Sequence, residues 1–201
     1  MNTSDKTYVQ NDTTHKQHRF FIRLGAIISS GTVFDESSSH LLTYPFTRSN
    51  NITQNDFSSR GMVASVGVQL TRKRKSGLHI IGVLKSGSDS TNAKKRLSYT
   101  QFGSALELYY GNKTAKFLLG TLLSYGVTDH PSGENDGINY VALEPYVGLN
   151  ITMTDDFSLL SKVGYEWRDY EEVSYHDLTV SHASKLSAYH LTGSLLLQYN
   201  F

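Results

Sequence analysis

The feature that most constrains this chain is a period of two in its apolar residues, held to the final position. In the last segment the odd positions are Tyr189, Leu191, Gly193, Leu195, Leu197, Tyr199 and Phe201. The even positions are Ala188, His190, Thr192, Ser194, Leu196, Gln198 and Asn200. Side chains alternate across a strand, so this pattern is one apolar face with aromatic ends and one polar or small face. The alternation recurs in Phe157, Leu159, Val163, Tyr165 and Trp167 against Ser158, Lys162, Gly164, Glu166 and Arg168. It recurs in Val141, Leu143, Pro145, Val147, Leu149 and Ile151, and in Phe20, Ile22, Leu24, Ala26 and Ile28. Apolar residues at i, i+3, i+4 and i+7 fill no complete window, so helices are not expected.

Eight strands are predicted, over residues 19–29, 61–71, 77–85, 97–110, 115–126, 139–152, 157–169 and 186–201. The fold class is therefore all-β. Composition agrees: 13 tyrosines and 9 phenylalanines against 3 prolines suit strands, and 16 glycines disfavour helix interiors. The connections alternate in length. Residues 30–60, 86–96, 127–138 and 170–185 form long ones, and the turns between them are short. The polar stretch 1–17 reads as a disordered tail without a signal-peptide pattern.

The totals alone suggest a soluble protein. The hydrophobic fraction is 38%, mean hydropathy is −0.35, and no run reaches the roughly 18 apolar residues of a membrane helix. Zero cysteines exclude a disulfide scaffold, a thiolate metal site and a cysteine nucleophile. A net charge of +1 does not support nucleic-acid binding.

Three features turn the reading towards a membrane. The apolar faces end in aromatics: Phe20, Tyr110, Phe117, Phe157, Tyr199 and Phe201 near the short turns, and Phe102, Tyr125, Tyr165, Trp167 and Tyr189 near the long loops. Such girdles mark the two edges of a hydrocarbon layer. The opposite faces hold glycines and charges, which a soluble core would avoid burying. Long loops at one end and short turns at the other also match outer-membrane barrels. Strands of about ten residues, tilted about 40°, cover an apolar band of roughly 25 Å.

The chain resembles small eight-stranded bacterial outer-membrane β-barrels of the OmpA/OmpX kind, as a pattern over about residues 18–201. The ending Leu195-Leu196-Leu197-Gln198-Tyr199-Asn200-Phe201 resembles the terminal signal read by the barrel-assembly machinery, with Tyr199 and Phe201 as its aromatics. The resemblance implies a closed antiparallel transmembrane barrel in the outer membrane, monomeric, with both termini periplasmic. Eight strands are expected. Ten remain open, because residues 30–60 could either extend the strands above the membrane or hide a hairpin near Leu41–Phe46.

Face assignment then points Arg23, Lys85, Glu107, Lys116, Glu144, Lys162, Glu166, Arg168 and His190 into the lumen. Counting from the short turns places Arg23, Glu107 and Lys162 in one layer. Lys85, Glu144 and Glu166 form a second, with Arg168 and His190 just above. An eight-stranded barrel is filled by its own side chains, so an interior salt-bridge plug is the main expectation and a narrow path for ions or small solutes the alternative.

Other constellations are weaker. His182-Ala183-Ser184 has the His-x-Ser spacing of outer-membrane lipid A deacylases, but no Asp or Glu follows Ser184, which leaves a lipid A-modifying enzyme a distant third. Asp129-His130 and His176-Asp177 lack the Asp-x-His spacing of omptin proteases. The eight histidines are scattered, so no metal, catalytic residue or cofactor is expected. Lys94, Lys95 and Arg96 would lie near lipopolysaccharide phosphates. Phe34, Leu41, Leu42, Tyr44 and Phe46 suggest a binding patch in the longest loop. The expected partners are thus outer-membrane lipid, lipopolysaccharide, the assembly machinery and an unidentified extracellular ligand. The expected function is a non-enzymatic surface barrel that displays loops for adhesion, surface-polymer or host-factor binding.

Overall fold

The computed structural model describes residues 19–41, 48–72, 75–91, 96–129, 137–171, 173–176 and 180–201; within these, the side chains of 34–41, 48–55, 72, 91, 173–176 and 180–185 are left undescribed. The strands are β1 (Phe20–Leu41), β2 (Arg48–Arg72), β3 (Ser76–Thr91), β4 (Arg96–Gly111), β5 (Ala115–Thr128), β6 (Ile138–Thr152), β7 (Phe157–Tyr170), β8 (Val173–His176) and β9 (Val180–Asn200). Each pairs antiparallel with the next, in the order β1-β2-β3-β4-β5-β6-β7-β9, and β9 returns to β1. Eight strands therefore close a barrel. The short β8 adds to the outer part of β9 only, through Val173↔Ser184 to His176↔Ser181.

Closure reaches the last residue. Phe201 N donates to Phe20 O at 3.0 Å, and Phe20 N donates to Phe201 O at 3.3 Å. The rings of Phe20 and Phe201 stack at 6.3 Å, and Tyr199 bridges Phe201 to Phe157 at 5.9 and 5.0 Å. The seam between first and last strand thus carries backbone pairing and an aromatic belt at the same level, so no open edge remains there.

The barrel is inverted relative to a soluble core. Leu24, Met62, Phe102, Phe117, Leu123, Val141, Val163 and Leu195 are exposed, while Arg23 is the largest fully buried side chain. All eleven girdle aromatics named above face outward. The apolar residues that do turn inward form three small clusters, around Phe21, Tyr109 and Tyr140, packed between the polar groups. Aromatic rings fit this narrow interior because glycine clears the wall behind them. At Gly120 a Cβ would sit 2.5 Å from Tyr146 Oη, so only a bare backbone lets the Tyr146 ring lie flat.

One expected loop is corrected. Residues 30–60 are mostly strand: β1 runs on to Leu41 and β2 begins at Arg48, paired from Ser30↔Ser58 to His40↔Arg48. The extension alternative holds, with eight strands in the barrel and no additional hairpin inserted among the described ones. The physical reason is that backbone pairing needs no apolar face. Beyond the membrane Ser, Thr and Asn arms satisfy each other's N–H and C=O groups without any alternation to betray them. β1 gains most, because β9 pairs with its other side up to Leu41↔Val180. The other long connections shrink for the same reason, to residues 92–95, 129–137 and, around β8, 171–179.

Candidate functional site

The lumen gathers the charged residues that alternation turned inward, and most of them find partners. The lower layer is built on Arg23 of β1. Its Nη1 and Nη2 donate to Glu107 Oε2 and Oε1 at 2.9 and 2.7 Å, and its Nε donates to Gln198 Oε1 at 2.7 Å. Arg23 and Glu107 are both completely buried. His79 Nδ1 lies 2.9 Å from Glu107 Oε1, and Tyr146 Oη donates to Glu107 Oε2 at 3.2 Å. The Arg23 guanidinium also stands 4.4 Å from the Phe21 ring centre. A bidentate pair whose remaining lone pairs are occupied is the arrangement that offsets burying two charges.

The upper layer is built on Lys85 of β3 and Arg168 of β7. Lys85 Nζ donates to Glu144 Oε2 at 2.6 Å and also to Glu166 Oε2. Arg168 Nε donates to Glu166 Oε1 at 2.6 Å, and its Nη1 donates to Asp89 Oδ2 at 2.7 Å. His190 Nε2 lies 3.1 Å from Glu166 Oε1, and Thr192 Oγ1 donates to Glu144 Oε1 at 2.6 Å. Three rings surround the Arg168 guanidinium, those of Phe57, Tyr99 and Tyr140, at 5.6, 4.8 and 5.0 Å. This box closes the upper end of the network with cation–π contacts.

Lys162 stands apart. It was expected in the layer of Arg23 and Glu107, but its Nζ lies 4.3 Å over the Tyr146 ring, with no carboxylate in ion-pair range among the described residues. Lys116 lies nearer the short turns, its ammonium 5.3 Å from the Tyr109 ring. Between these levels four cations, Arg23, Lys85, Lys162 and Arg168, balance four carboxylates, Asp89, Glu107, Glu144 and Glu166.

All nine expected lumen residues thus face inward. Sequence reasoning missed His79 and Asp89, which share the inward parity of Lys85 on β3, and Gln198, which shares that of His190 on β9. Asp89 escapes it because the Ser-rich stretch after Lys85 lacks the apolar alternation that marks a strand. Arg96 is exposed at the start of β4, whereas Lys94 and Lys95 lie outside the described residues. Phe34 and Leu41 fall on the outer arm of β1 with undescribed side chains; Leu42, Tyr44, Phe46 and the 1–17 tail lie outside the described residues. So do His130, the residue of the Asp129-His130 pair, and the side chains of His176, His182 and Ser184.

Fold and surface together define the class: a small transmembrane β-barrel of the bacterial outer membrane. The crystal structure of the outer-membrane protein OprG from Pseudomonas aeruginosa is similar over 93% of this chain and 97% of that one, at 14% identity and a TM-score of 0.52. Neisserial surface protein A (NspA) is similar over 90% of this chain and 97% of its own, at 12% identity and a TM-score of 0.48. Ail, the attachment invasion locus protein of Yersinia pestis, is similar over 86% and 98%, at 13% identity and a TM-score of 0.39. At 14% identity the likeness to OprG establishes the fold alone. No protein-family model and no curated protein matches the sequence.

Proposed function

We propose that this barrel is a non-enzymatic surface protein whose projecting sheet makes contact with material outside the cell, and that both termini are periplasmic. One observation carries the reading. β1, β2 and β9 continue well past the apolar band, and with β8 they form a four-stranded sheet beyond it, in the order β2-β1-β9-β8. β3 stops pairing with β2 at Phe57↔Thr91, so β2 from Arg48 to Asp56 has no partner on that side among the described strands. Long, paired arms at one end and turns of three or four residues at the other suit a scaffold that presents a surface. The closed lumen supports the same reading, since its ion pairs occupy the space a solute would need.

The test is a chain in which residues 30–60 are replaced by a short turn. The expected result is a barrel that still shows heat-modifiable mobility in detergent while cells carrying it lose adherence to host cells or immobilised surface polymers. Equal adherence of cells with the full and shortened chains would refute the display role. Protease cleavage of the arms in intact cells checks orientation; protected arms would overturn it.

A narrow channel is the second reading, favoured by one specific observation. Asp89 Oδ1, Gln101 Oε1, Tyr140 Oη and His190 Nδ1 are buried in the upper lumen without partners among the described residues, as is Asn150 Oδ1 below. Buried polar atoms of this kind are ordinarily hydrated, and water in the lumen is the first requirement of a polar path. Planar-bilayer recording separates the two readings. Reproducible openings altered by Glu144→Gln or Lys85→Met would establish conduction, and a silent bilayer would dispose of it.

A further inference from the structure

The outer wall is not uniform. Where β2, β3 and β4 meet lipid, three small residues, Ala64, Gly82 and Ser104, form the floor of a groove of about 840 Å³. Leu84, Phe102 and Tyr125 stand along it, in one paired row with Ala64. The groove is nearly all apolar and faces the hydrocarbon, so a lipid chain is the material available to fill it. Small residues alone would mean little, since any barrel has dents.

The second observation is charge. Arg60 lies four residues above Ala64 on β2, and Arg96 lies six residues above Phe102 on β4. Both are exposed, share the outward parity of the groove residues, and form no ion pair among the described residues. Asp56, the acid above Arg60 on β2, is engaged in a contact of its own. The strand distances are roughly 13 and 20 Å, or rises of roughly 10 and 15 Å at a tilt of about 40°. Phe102 belongs to the upper girdle and lies eight residues from Tyr110 of the lower one, a rise of roughly 20 Å, so on a band about 25 Å tall the arginines stand at the headgroup level, where phosphates would cap a chain lying in the groove. The β6–β7 side is opposite in sign: Asp169 and Glu171 are exposed along its upper edge, Glu171 accepting from Asn139 Nδ2 at 2.7 Å. Asp129, which borders β4, accepts from Ser98 N at 2.9 Å.

From the apolar groove beneath two unpaired arginines on one wall, we infer that the β2–β4 wall is a binding seat for lipid A, a phosphorylated glycolipid with several acyl chains: one chain lies over Gly82 and Ser104, and the phosphates meet Arg60 and Arg96. The inference rests on the proposed orientation, which places this edge outermost.

The experiment uses the full chain refolded in detergent, with native mass spectrometry of its adducts with diphosphoryl lipid A. A one-to-one adduct is expected. Arg60→Gln with Arg96→Gln should weaken it about twenty-five-fold, about fivefold for each arginine. Gly82→Leu should weaken it about tenfold, the loss of roughly two buried methylenes. A Cβ at Gly82 meets nothing nearer than Val66 Cγ1 at 3.8 Å, so this variant has room to fold, and Ser104→Leu is the second groove variant. Gly193→Leu, on β9 outside the groove and as open, should leave binding unchanged. Heat-modifiable mobility confirms that each variant is folded. Phosphatidylglycerol binding as tightly as lipid A, or equal effects of Gly82→Leu and Gly193→Leu, would overturn the seat. Because binding is read in detergent, its failure is separate from a failure of the orientation, which protease accessibility in cells reports.

Discussion

Replacing Arg23 by methionine would strand the Glu107 carboxylate in the barrel interior. Both groups are fully buried, and the guanidinium supplies two of the four short contacts Glu107 receives. His79 and Tyr146 would remain, so the cost falls near the lower end of that for breaking a buried pair, about 3 kcal/mol. Glu107→Leu is harsher. It leaves the guanidinium with Gln198 as its hydrogen-bond acceptor, and about 4 kcal/mol is expected. The double variant removes both charges and fills the space with apolar atoms, so it should lie within roughly 1 kcal/mol of the parent. The cycle thus has a coupling of roughly 7 kcal/mol, far outside the additivity found for independent sites. Urea unfolding of barrels in lipid vesicles, followed by heat-modifiable mobility, measures each corner. Losses that simply add, or single variants within about 0.5 kcal/mol of the parent, would show that water screens the pair and that the Arg23–Glu107 layer does not close the lumen.

Three further outcomes follow from the same structure. Lys162→Met should cost only about 1 kcal/mol in the same unfolding assay, because its ammonium rests on the Tyr146 ring with no paired carboxylate; a loss matching that of Glu107→Leu would contradict this. Gly120→Val should displace the Tyr146 ring and its bond to Glu107, destabilising the barrel by about 2 kcal/mol or more, and Tyr146→Ala in the same chain should relieve part of that loss. Phe201→Ala removes the ring that joins Phe20 to Tyr199 across the seam, so folding into vesicles should slow while the folded strand content by circular dichroism stays the same; unchanged folding kinetics would argue against the seam as a closing contact.

Much of this was legible because period two is a strict geometric rule. Once Phe201 and Leu197 are set facing lipid, Gln198 and His190 must face inward, and the same parity carries Lys85, Glu144, Glu166 and Arg168 into the lumen. The outer arms were not legible. In water neither face of a Ser- and Thr-rich strand need be apolar, so residues 30–60 lacked the signal that marked the rest. That gap also concealed Asp89, the second carboxylate of Arg168.

By itself, then, the sequence determined which side chains meet lipid and which meet each other inside, because alternation is a local property of the extended backbone. Which inward charge meets which was decided only by the closed barrel. Arg23 and Glu107 lie 84 residues apart and Lys85 and Glu166 lie 81 apart, on strands that are not neighbours. Their depths depend on strand tilt and on the stagger accumulated around the ring. Lys162 shows the difference: its inward parity was legible, but that its ammonium would rest on the ring of Tyr146 was not. The Arg60 and Arg96 wall is decided by the register of β2, β3 and β4, which sets the two arginines above the same outward-facing residues.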